Sequence, residues 1–417
     1  MRGDKSDIND GKMRLGYLYS RYPVISQTFC DMEMLELERR GWDLVIASMY
    51  PPKTQVRHEY LARFRAQVQY APDKHALEKL VKKAQRNGRW PEPMVEEHSR
   101  KFGPDYKAAL RARNALFFVE LFERERVPHF HVHFANRAAH TALFVKAISG
   151  IPFSLTAHGQ DFMSDLGNDN LLREICAAAE FVGAETEYSR DLLAARCPES
   201  TAKILRISNG LELAKFPSSE TTAGQSVRVL SVGRLVPFKG FDLLIDACAE
   251  LTGRAVDFEC EIIGEGELRA ELHGRAAERG LTNVWFAGER SHNQVLAALA
   301  NCDVFVLASR IDERGASDIF PTVIAEAMAC AKPVVSTAVA GIPELVSQNE
   351  TGLLVPPNDS RALADALARL MEDDQLRQRF GRAGRARIAE QFTIQRTIEP
   401  LIARLTANRK SKIENRK

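Results

Sequence analysis

Short apolar runs alternate along the chain with amphipathic segments of helical length. The first run, at 14–20, leads through a polar loop into a helix expected to end at Gly41, and the next run follows at 42–49. A strand, a helix and a strand joined so closely predict a parallel βαβ unit. After a more polar helical region at 73–126, the first half is predicted to contain four further extended segments: 129–134, 152–157, 180–185 and 203–210.

The same alternation restarts in the second half, after a stretch at 217–226 whose Ser, Thr, Gly and Pro content is typical of a linker or surface loop. Two helices are predicted near the end, at about 360–389 and 393–407, and the charged residues that follow are expected to be disordered. The pattern predicts an α/β protein with doubly wound parallel sheets. The strands of the second half are predicted at 227–233, 258–264, 283–288, 303–309 and 332–337.

Length and composition agree with two soluble domains. A chain of 417 residues is too long for one ordinary domain. Its apolar fraction of 45% and charged fraction of 27% are those of a globular protein. The formal net charge of +2 argues against a general nucleic-acid binder.

Several features favour a cytoplasmic protein. No run approaches the roughly 20 apolar residues of a membrane helix, and the polar N-terminus lacks the apolar core of a signal peptide. The seven cysteines are scattered, without a CxxC pair, so reduced core thiols are expected in place of disulfides or a zinc site.

The segment from Ser309 to Gly352 carries the clearest chemical signal. Asp318 stands eight positions before Glu326, a Phe–Pro pair lies between them, and a small-residue helix and a buried strand follow. Acids at the start of a helix are well placed to meet ligand hydroxyls, where free N–H groups also attract anions. The helix dipole alone also favours an acid there, but it does not account for the Phe–Pro insert.

A pair of cations stands at the first strand of the second half. Arg234 follows that strand, and Lys239 comes five residues later, directly before a helix that opens at Gly240. Two cations beside a helix N-terminus can hold a diphosphate through charge-assisted hydrogen bonds. The alternative is a pair of solvated loop cations.

Together these segments resemble the acid-x7-acid signature and the GRL…KG segment of family 4 retaining glycosyltransferases, which have the GT-B fold. The first acid is usually Glu in that family, and this chain has Asp318. The resemblance implies that Arg234 and Lys239 neutralise the leaving nucleotide diphosphate, that Glu326 binds the ribose and that Asp318 contacts the donor sugar. The implied donor-binding residues are Gly233, Arg234, Lys239, Asp318, Phe320, Pro321, Thr322, Val323 and Glu326.

Residues 155–162 of the first half are similar to the family's (T/H)-x-H-x-x-D element. The resemblance implies that His158 faces the donor sugar, as a catalytic residue beside Asp318, Arg234 and Lys239. Asp161 then either fixes the imidazole or meets an acceptor hydroxyl. A lone histidine is more often structural, but a strand-end position favours function.

The first strand–helix loop, at 20–29, resembles the P-x-x-S-E-T-F loop of exopolysaccharide glycosyltransferases, with Gln in place of Glu. Ser26, Gln27 and Thr28 are then neutral donors near donor or acceptor, and the compatible alternative is a helix capped by Ser26. Asn209 belongs to an Asn–Gly turn similar to the family's turn at the domain junction.

Three other patterns in the chain resemble known binding motifs. The 264–269 segment lacks the third glycine of a dinucleotide fingerprint. His129, His131 and His133 share one face of a strand, but no carboxylate pattern accompanies them in the sequence, so no metal is expected. A basic amphipathic helix at 74–90 either rests on anionic lipid or packs on the first domain.

The resemblance covers residues 14–405 and implies a metal-independent, retaining hexosyltransferase without a cofactor. It transfers a sugar from a nucleotide-diphosphate sugar to a saccharide or lipid-linked saccharide, most similar to exopolysaccharide and colanic-acid biosynthesis enzymes, in the cytoplasm or at the inner membrane face. The alternatives are a non-catalytic sugar-nucleotide-binding protein and another GT-B-like enzyme such as an epimerase. The implied organisation is a disordered tail at 1–13, an acceptor-side domain at 14–212, a nucleotide-sugar domain at 213–389, a helix crossing back at 390–407 and a charged tail at 408–417.

Overall fold

The computed structural model describes residues 13–162, 169–218 and 226–414, and they form two parallel β-sheets flanked by helices. The first sheet has the strand order β3-β2-β1-β4-β5-β6-β7, and the second has the order β10-β9-β8-β11-β12-β13. The strands of the first sheet are β1 (Arg14–Arg21), β2 (Asp43–Tyr50), β3 (Gln69–Tyr70), β4 (Phe130–His133), β5 (Phe153–Ala157), β6 (Val182–Ala184) and β7 (Ile204–Arg206). Those of the second are β8 (Val227–Val232), β9 (Phe258–Ile263), β10 (Val284–Gly288), β11 (Val304–Leu307), β12 (Val334–Thr337) and β13 (Gly352–Val355).

Helices connect the strands in both halves. The helices of the first half are α1 (Thr28–Arg39), α2 (Lys74–Arg86), α3 (Glu92–Phe102), α4 (Ala108–Arg124), α5 (Arg137–Ser149), α6 (Gly159–Phe162), α7 (Asp169–Ala178) and α8 (Glu187–Arg196). Those of the second half are α9 (Phe241–Gly253), α10 (Arg269–Glu278), α11 (His292–Asn301), α12 (Thr322–Ala329), α13 (Ile342–Leu345), α14 (Ser360–Glu372), α15 (Asp374–Gln391), α16 (Ile394–Thr397) and α17 (Glu399–Glu414). None of the helices in the described residues combines the length and the hydropathy needed to cross a bilayer.

The predicted strands are all present, but two edge strands were missed. β3 has only two residues, both exposed, and so has no apolar run to reveal it. β13 is a four-residue strand at an edge of the second sheet. Short edge strands lack the long apolar runs that identify central parallel strands.

The C-terminal helices differ from the prediction in three ways, the first being that the helix expected at 393–407 is divided into α16 and α17. The helix expected at 360–389 is divided into α14 and α15, because Asp373 accepts a hydrogen bond from the Leu376 N–H and caps the second helix. The expected disorder of 408–417 is wrong for 408–414, where the backbone of α17 continues. Those residues contain neither Gly nor Pro to end a helix. The predicted N-terminal tail and most of the predicted linker lie outside the described residues.

The last helices pack on the first half of the molecule. Ile394 and Leu401 are buried in one apolar cluster with Tyr17 of β1 and Leu37 of α1. Burial of these side chains on the first sheet returns the end of the chain to the half in which it began.

The two halves also touch directly around the opening between them. The Glu344 carboxylate accepts hydrogen bonds from the backbone N–H groups of Glu187 (2.9 Å) and Tyr188 (2.7 Å), so it caps α8 from the other half. A carboxylate is favoured at that end of a helix. A methyl group added at Gly159 would lie 2.3 Å from Ile319, so the two halves are in contact there as well.

Candidate active site

A cleft of about 410 Å³ lies between the two halves. The carboxyl ends of parallel strands are where open α/β sheets bind ligands, and this volume is that of a small-molecule site. The first half lines it with residues 24–29, His58, Phe134, His158, Gly159 and Glu185. The second half contributes Gly233, Arg234, Lys239, Glu265, Glu289, Arg290, His292, residues 317–323 and Glu326, among others.

The two predicted phosphate ligands, Arg234 and Lys239, both lie in this cleft. Each cation lies 5.8 Å from the centre of the Phe238 ring. The Lys239 ammonium contacts Asp318, whereas no carboxylate forms an ion pair with Arg234 in the described part of the chain. The cleft therefore contains one paired and one unpaired cation on the loop after β8.

Asp318 lies between Lys239 and a serine that the sequence analysis did not single out. Its Oδ1 lies 2.7 Å from the Lys239 Nζ, and its Oδ2 accepts a 2.6 Å hydrogen bond from the Ser309 hydroxyl. Both carboxylate oxygens are thus engaged within the second half. The carboxylate fixes the lysine that is predicted to bind phosphate.

Gly240 shapes the loop that carries these cations. Its φ of +66° is in the left-handed region, and a Cβ there would lie 1.9 Å from the Ala308 carbonyl oxygen. Only glycine combines this conformation with so close a backbone approach. The close approach holds the start of α9 against the end of β11.

We expect Gly240→Ala to lower the free energy of unfolding by about 2–4 kcal/mol, because a left-handed alanine and the backbone clash both add a cost. Gly253→Ala, at the other end of the same helix, meets no atom within 4 Å and is the matched control. Its effect should stay within about 1 kcal/mol. Urea unfolding of both variants tests this, and equal midpoints for the two would contradict it.

Glu326 lies in the fifth position after the N-cap of α12 and has a partner that the sequence analysis missed. The His292 Nε2 lies 3.6 Å from its Oε1, and both side chains are buried. Burial disfavours the imidazolium, but attraction from Glu326, Glu59 and Asp31 outweighs it and raises the pKa of His292. His292 follows β10, so the same strand-end argument that pointed to Arg234 could have found it.

The start of α12 offers backbone donors beside Glu326. Pro321 occupies the N-cap position and supplies no side-chain cap. Helices leave their first N–H groups without intrahelical partners, and Thr322 and Val323, the first two residues of α12, both line the cleft. Phe320 and Pro321 line the same wall.

Asp31 of α1 lies buried behind this region. It accepts hydrogen bonds from the hydroxyls of Tyr22 (2.6 Å) and Tyr60 (3.0 Å). Burial raises its pKa from 3.8 to about 7, although both tyrosines and the charge of His292 oppose that rise. The carboxyl therefore titrates near neutrality in the folded protein.

The titration of Asp31 should make the protein less stable as pH rises. The folded chain keeps this proton up to about pH 7, whereas the unfolded chain releases it near 3.8. The stabilising contribution is complete below about pH 4 and is lost between pH 4 and 7. Asp31→Asn cannot titrate, so its stability relative to wild type should rise across this window, by up to about 4 kcal/mol. Urea unfolding at several pH values measures the difference, and a pH-independent difference would contradict the assignment.

His158 lines the cleft, but neither ring nitrogen is free. Its Nδ1 lies 3.1 Å from the Glu185 carboxylate, and its Nε2 lies 3.1 Å from the His133 Nδ1. Burial disfavours the charged form of the ring. Attraction to nearby carboxylates, chiefly Glu185 and then Asp161, outweighs burial and raises the pKa of His158. The Glu185 carboxylate also accepts a hydrogen bond from Asn209. The ring thus belongs to a buried hydrogen-bond network in the wall of the cleft.

Asp161 binds the backbone N–H of His158 and not its imidazole, so the first of its two expected roles is wrong, and contact with an acceptor stays a prediction. Its Oδ2 accepts hydrogen bonds from the backbone N–H groups of Ala135 (2.6 Å) and His158 (3.0 Å), and Oδ1 accepts one from Asn136. Asp161 is 1% exposed. It holds two loop backbones together, and Glu185 is the carboxylate that orients the ring.

Residues 24–29, which include the start of α1, line the cleft. The alternative of a Ser26 cap is wrong, because Thr28 begins the helix and Gln27 is the N-cap, without a side-chain capping bond. The Gln27 Oε1 is buried without a hydrogen-bond partner in the described residues. Ser26, Gln27 and Thr28 all line the cleft, so the predicted first-domain donors lie together there.

A carboxylate does accompany the histidines of β4, contrary to the sequence-based view. Glu33 of α1 lies 3.0 Å from the His133 Nε2, and the two form a possible metal-binding group with His131. Glu33 already accepts a hydrogen bond from Tyr17, and both nitrogens of His131 contact the hydroxyls of Ser154 and Thr156. These hydrogen bonds account for the cluster without an ion.

Comparison with known proteins agrees with this architecture. Residues 214–387 match the family model described as Glycosyl transferases group 1. The chain is 28% identical to the amylovoran biosynthesis glycosyltransferase AmsK of Erwinia amylovora, covering 91% of this chain and 96% of that protein. It is 34% identical to the putative colanic acid biosynthesis glycosyltransferase WcaL of Salmonella typhimurium, over 48% of this chain and 49% of that protein.

Solved structures share the fold at low sequence identity. Anabaena Alr3699/HepE, crystallised with UDP and glucose, superposes with a TM-score of 0.72 at 18% identity, covering 95% of this chain and all of that one. Sucrose-phosphate synthase from Thermosynechococcus elongatus gives a TM-score of 0.71 at 19% identity with the same coverage. Residues 214–387 are therefore a glycosyl transferases group 1 domain, and the two sheets with their helices have the GT-B fold.

Proposed function

We propose that the protein is a retaining glycosyltransferase that moves a sugar from a nucleotide-diphosphate sugar to an acceptor hydroxyl during exopolysaccharide synthesis. The observation that carries this proposal is the convergence of Arg234, Lys239 and Glu326 in one cleft between two parallel sheets. The names of the relatives AmsK and WcaL support the polysaccharide, and the UDP-glucose complex of HepE supports the donor class.

In this proposal the second half binds the nucleotide. The carboxylate of Glu326 accepts hydrogen bonds from the ribose hydroxyls, and Arg234 and Lys239 hold the diphosphate. Lys239 exchanges part of its contact with Asp318 for a phosphate oxygen. The N–H groups at the start of α12 add further donors, because a helix N-terminus favours anions.

The chemical step breaks the bond between the anomeric carbon and the diphosphate oxygen, which leaves with the electron pair. The acceptor oxygen bonds to the anomeric carbon from the same face, and its proton passes to the departing diphosphate. Charge develops on that diphosphate, so Arg234 and Lys239 contribute by stabilising it. We propose that these fixed cations make a divalent metal unnecessary.

We further propose a cytoplasmic enzyme that acts on a lipid-linked saccharide at the inner membrane face. Leu77 and Ala84 of α2 are buried against the core of the first half, so this helix packs on the domain. Its exposed lysines, among them Lys79 and Lys82, attach the protein to the membrane by electrostatic contact with anionic lipid.

The proposal is tested by incubating the protein with UDP-, GDP- and ADP-sugars and a lipid-linked saccharide extract, and by following release of the nucleoside diphosphate. We expect release with one base, dependent on the acceptor, and a product whose anomeric configuration by NMR matches that of the donor. An inverted product would contradict the retaining mechanism. Tight nucleotide binding without release on any acceptor would support the non-catalytic alternative.

A further inference from the structure

A group of arginines lies beside the cleft, at the carboxyl ends of strands of the first sheet that the proposed donor site does not use. Arg21 ends β1, Tyr50 ends β2, and Arg137 begins α5 three residues after Phe134 of the cleft wall. The strands β2, β1 and β4 are neighbours, so their carboxyl ends meet at one edge. Arg111 lies on α4, which packs against both α5 and β2, and the charges of Arg137 and Tyr50 act on it.

Arg111 is a buried cation without a counter-charge. Its side chain belongs to a residue only 8% exposed, and its Nε has no hydrogen-bond partner in the described residues. Burial and the nearby charge of Arg137 lower its pKa, and only Tyr50 opposes them. No carboxylate of the described chain forms an ion pair with Arg111 or Arg137. Buried arginines are normally paired, because an uncompensated buried charge is costly.

The backbone around Arg137 is held firmly and adds to the positive field. Asn136 caps α5 by accepting a hydrogen bond from the Ala138 N–H, and its amide donates to Asp161 at 3.0 Å. Asp161 in turn accepts from the His158 N–H, so the arginine is tied to the cleft wall. The positive end of the α5 dipole lies at the same point.

We propose that Arg111 and Arg137, with Tyr50 and Arg21 at the rim, form a subsite for an oxyanion carried by the acceptor. The group is a phosphate, a diphosphate or a sugar carboxylate, since the planar guanidinium binds each of these through paired hydrogen bonds. The inference rests on the proposed function, because it takes the anion to be part of the acceptor. The bound anion supplies the missing counter-charge of Arg111, and the subsite places the acceptor beside the donor cleft.

The test uses isothermal titration calorimetry with inorganic pyrophosphate as the probe. The full-length chain carries Arg234→Ala and Lys239→Ala, so the donor site lacks the two cations that we propose hold a diphosphate. We expect saturable binding that weakens at least tenfold when Arg137→Gln is added. Arg124→Gln is the matched control, because this exposed arginine lies at the far end of the helix that carries Arg111; it should leave the affinity unchanged.

A second titration with methyl β-glucuronide identifies the source of the anion. Tighter, Arg137-dependent binding of pyrophosphate indicates a diphosphate-linked acceptor, whereas tighter binding of the glucuronide indicates an acidic sugar. Absence of saturable binding of both probes, or binding that Arg137→Gln leaves unchanged, overturns the inference. Arg137 is exposed, so its replacement should not disturb folding, and a thermal melt checks this. Neither donor nor turnover is needed, so the result is independent of the test of the proposed function.

Discussion

Replacing Lys239 by alanine should reduce kcat by about a hundredfold. The change removes one of the two cations that we propose stabilise the departing diphosphate, and loss of a single such group commonly costs 10²–10³ in rate. It also leaves Asp318 without the ammonium that lies 2.7 Å from its Oδ1. Steady-state kinetics with the donor identified by nucleotide release measure the effect.

Lys101→Ala is the matched control for that variant. Lys101 also forms a lysine–carboxylate pair, at 2.6 Å from Glu174, but lies on the first half away from the cleft. Its kcat should equal that of wild type. A Lys239→Ala enzyme that stays folded and retains kcat within twofold of wild type would rule out the role of the lysine at the leaving group.

Replacing Glu326 by alanine should weaken binding of the nucleoside diphosphate roughly 10- to 100-fold. Hydrogen bonds to a charged acceptor contribute about 1.5–3 kcal/mol, and each 1.4 kcal/mol is a factor of about ten in Kd. Calorimetric titration of wild type and variant measures the difference.

The ribose assignment has a sharper control in the ligand. A 2′,3′-dideoxynucleoside diphosphate lacks the hydroxyls that Glu326 is proposed to bind, so wild type should bind it as weakly as the variant binds the full nucleotide. Glu326→Ala should then scarcely distinguish the two ligands, since interacting partners are not additive. A variant that still prefers the full nucleotide as strongly as wild type does would contradict direct contact.

The sequence predicted the fold and one wall of the cleft because both depend on local pattern. Buried parallel strands are apolar runs, and ligands gather where such strands end. Arg234 and Lys239 were found by that reasoning and Glu326 by its position near the start of a helix, and the structure brings all three into one cleft. Their roles stay predictions until they are tested.

The contacts between these residues and their partners depend on tertiary packing, which position along the chain does not predict. Glu326 faces His292 from another helix, and Asp318 faces Ser309 across a loop. Glu33 reaches the β4 histidines only because α1 packs across that sheet. No spacing along the chain encodes such contacts.

A shift of one or two residues also changed the interpretation of the first loop. Ser26 is a good cap by residue type, but α1 begins at Thr28 and takes Gln27 as its N-cap. The exact end of a helix is the least secure part of any pattern-based assignment. Here that shift leaves the loop residues facing the cleft.

The central claim is that this cleft binds a nucleoside diphosphate through the cations that follow β8. A thermal-shift panel of purified protein with UDP, GDP, ADP and CMP, repeated on Arg234→Ala, tests it most directly. A ligand at 100 times its Kd stabilises the folded state by about 2.7 kcal/mol. We expect one diphosphate to raise the Tm of wild type by several degrees and to leave the variant nearly unchanged. Absence of a shift with every nucleotide, or equal shifts in both proteins, would contradict the account.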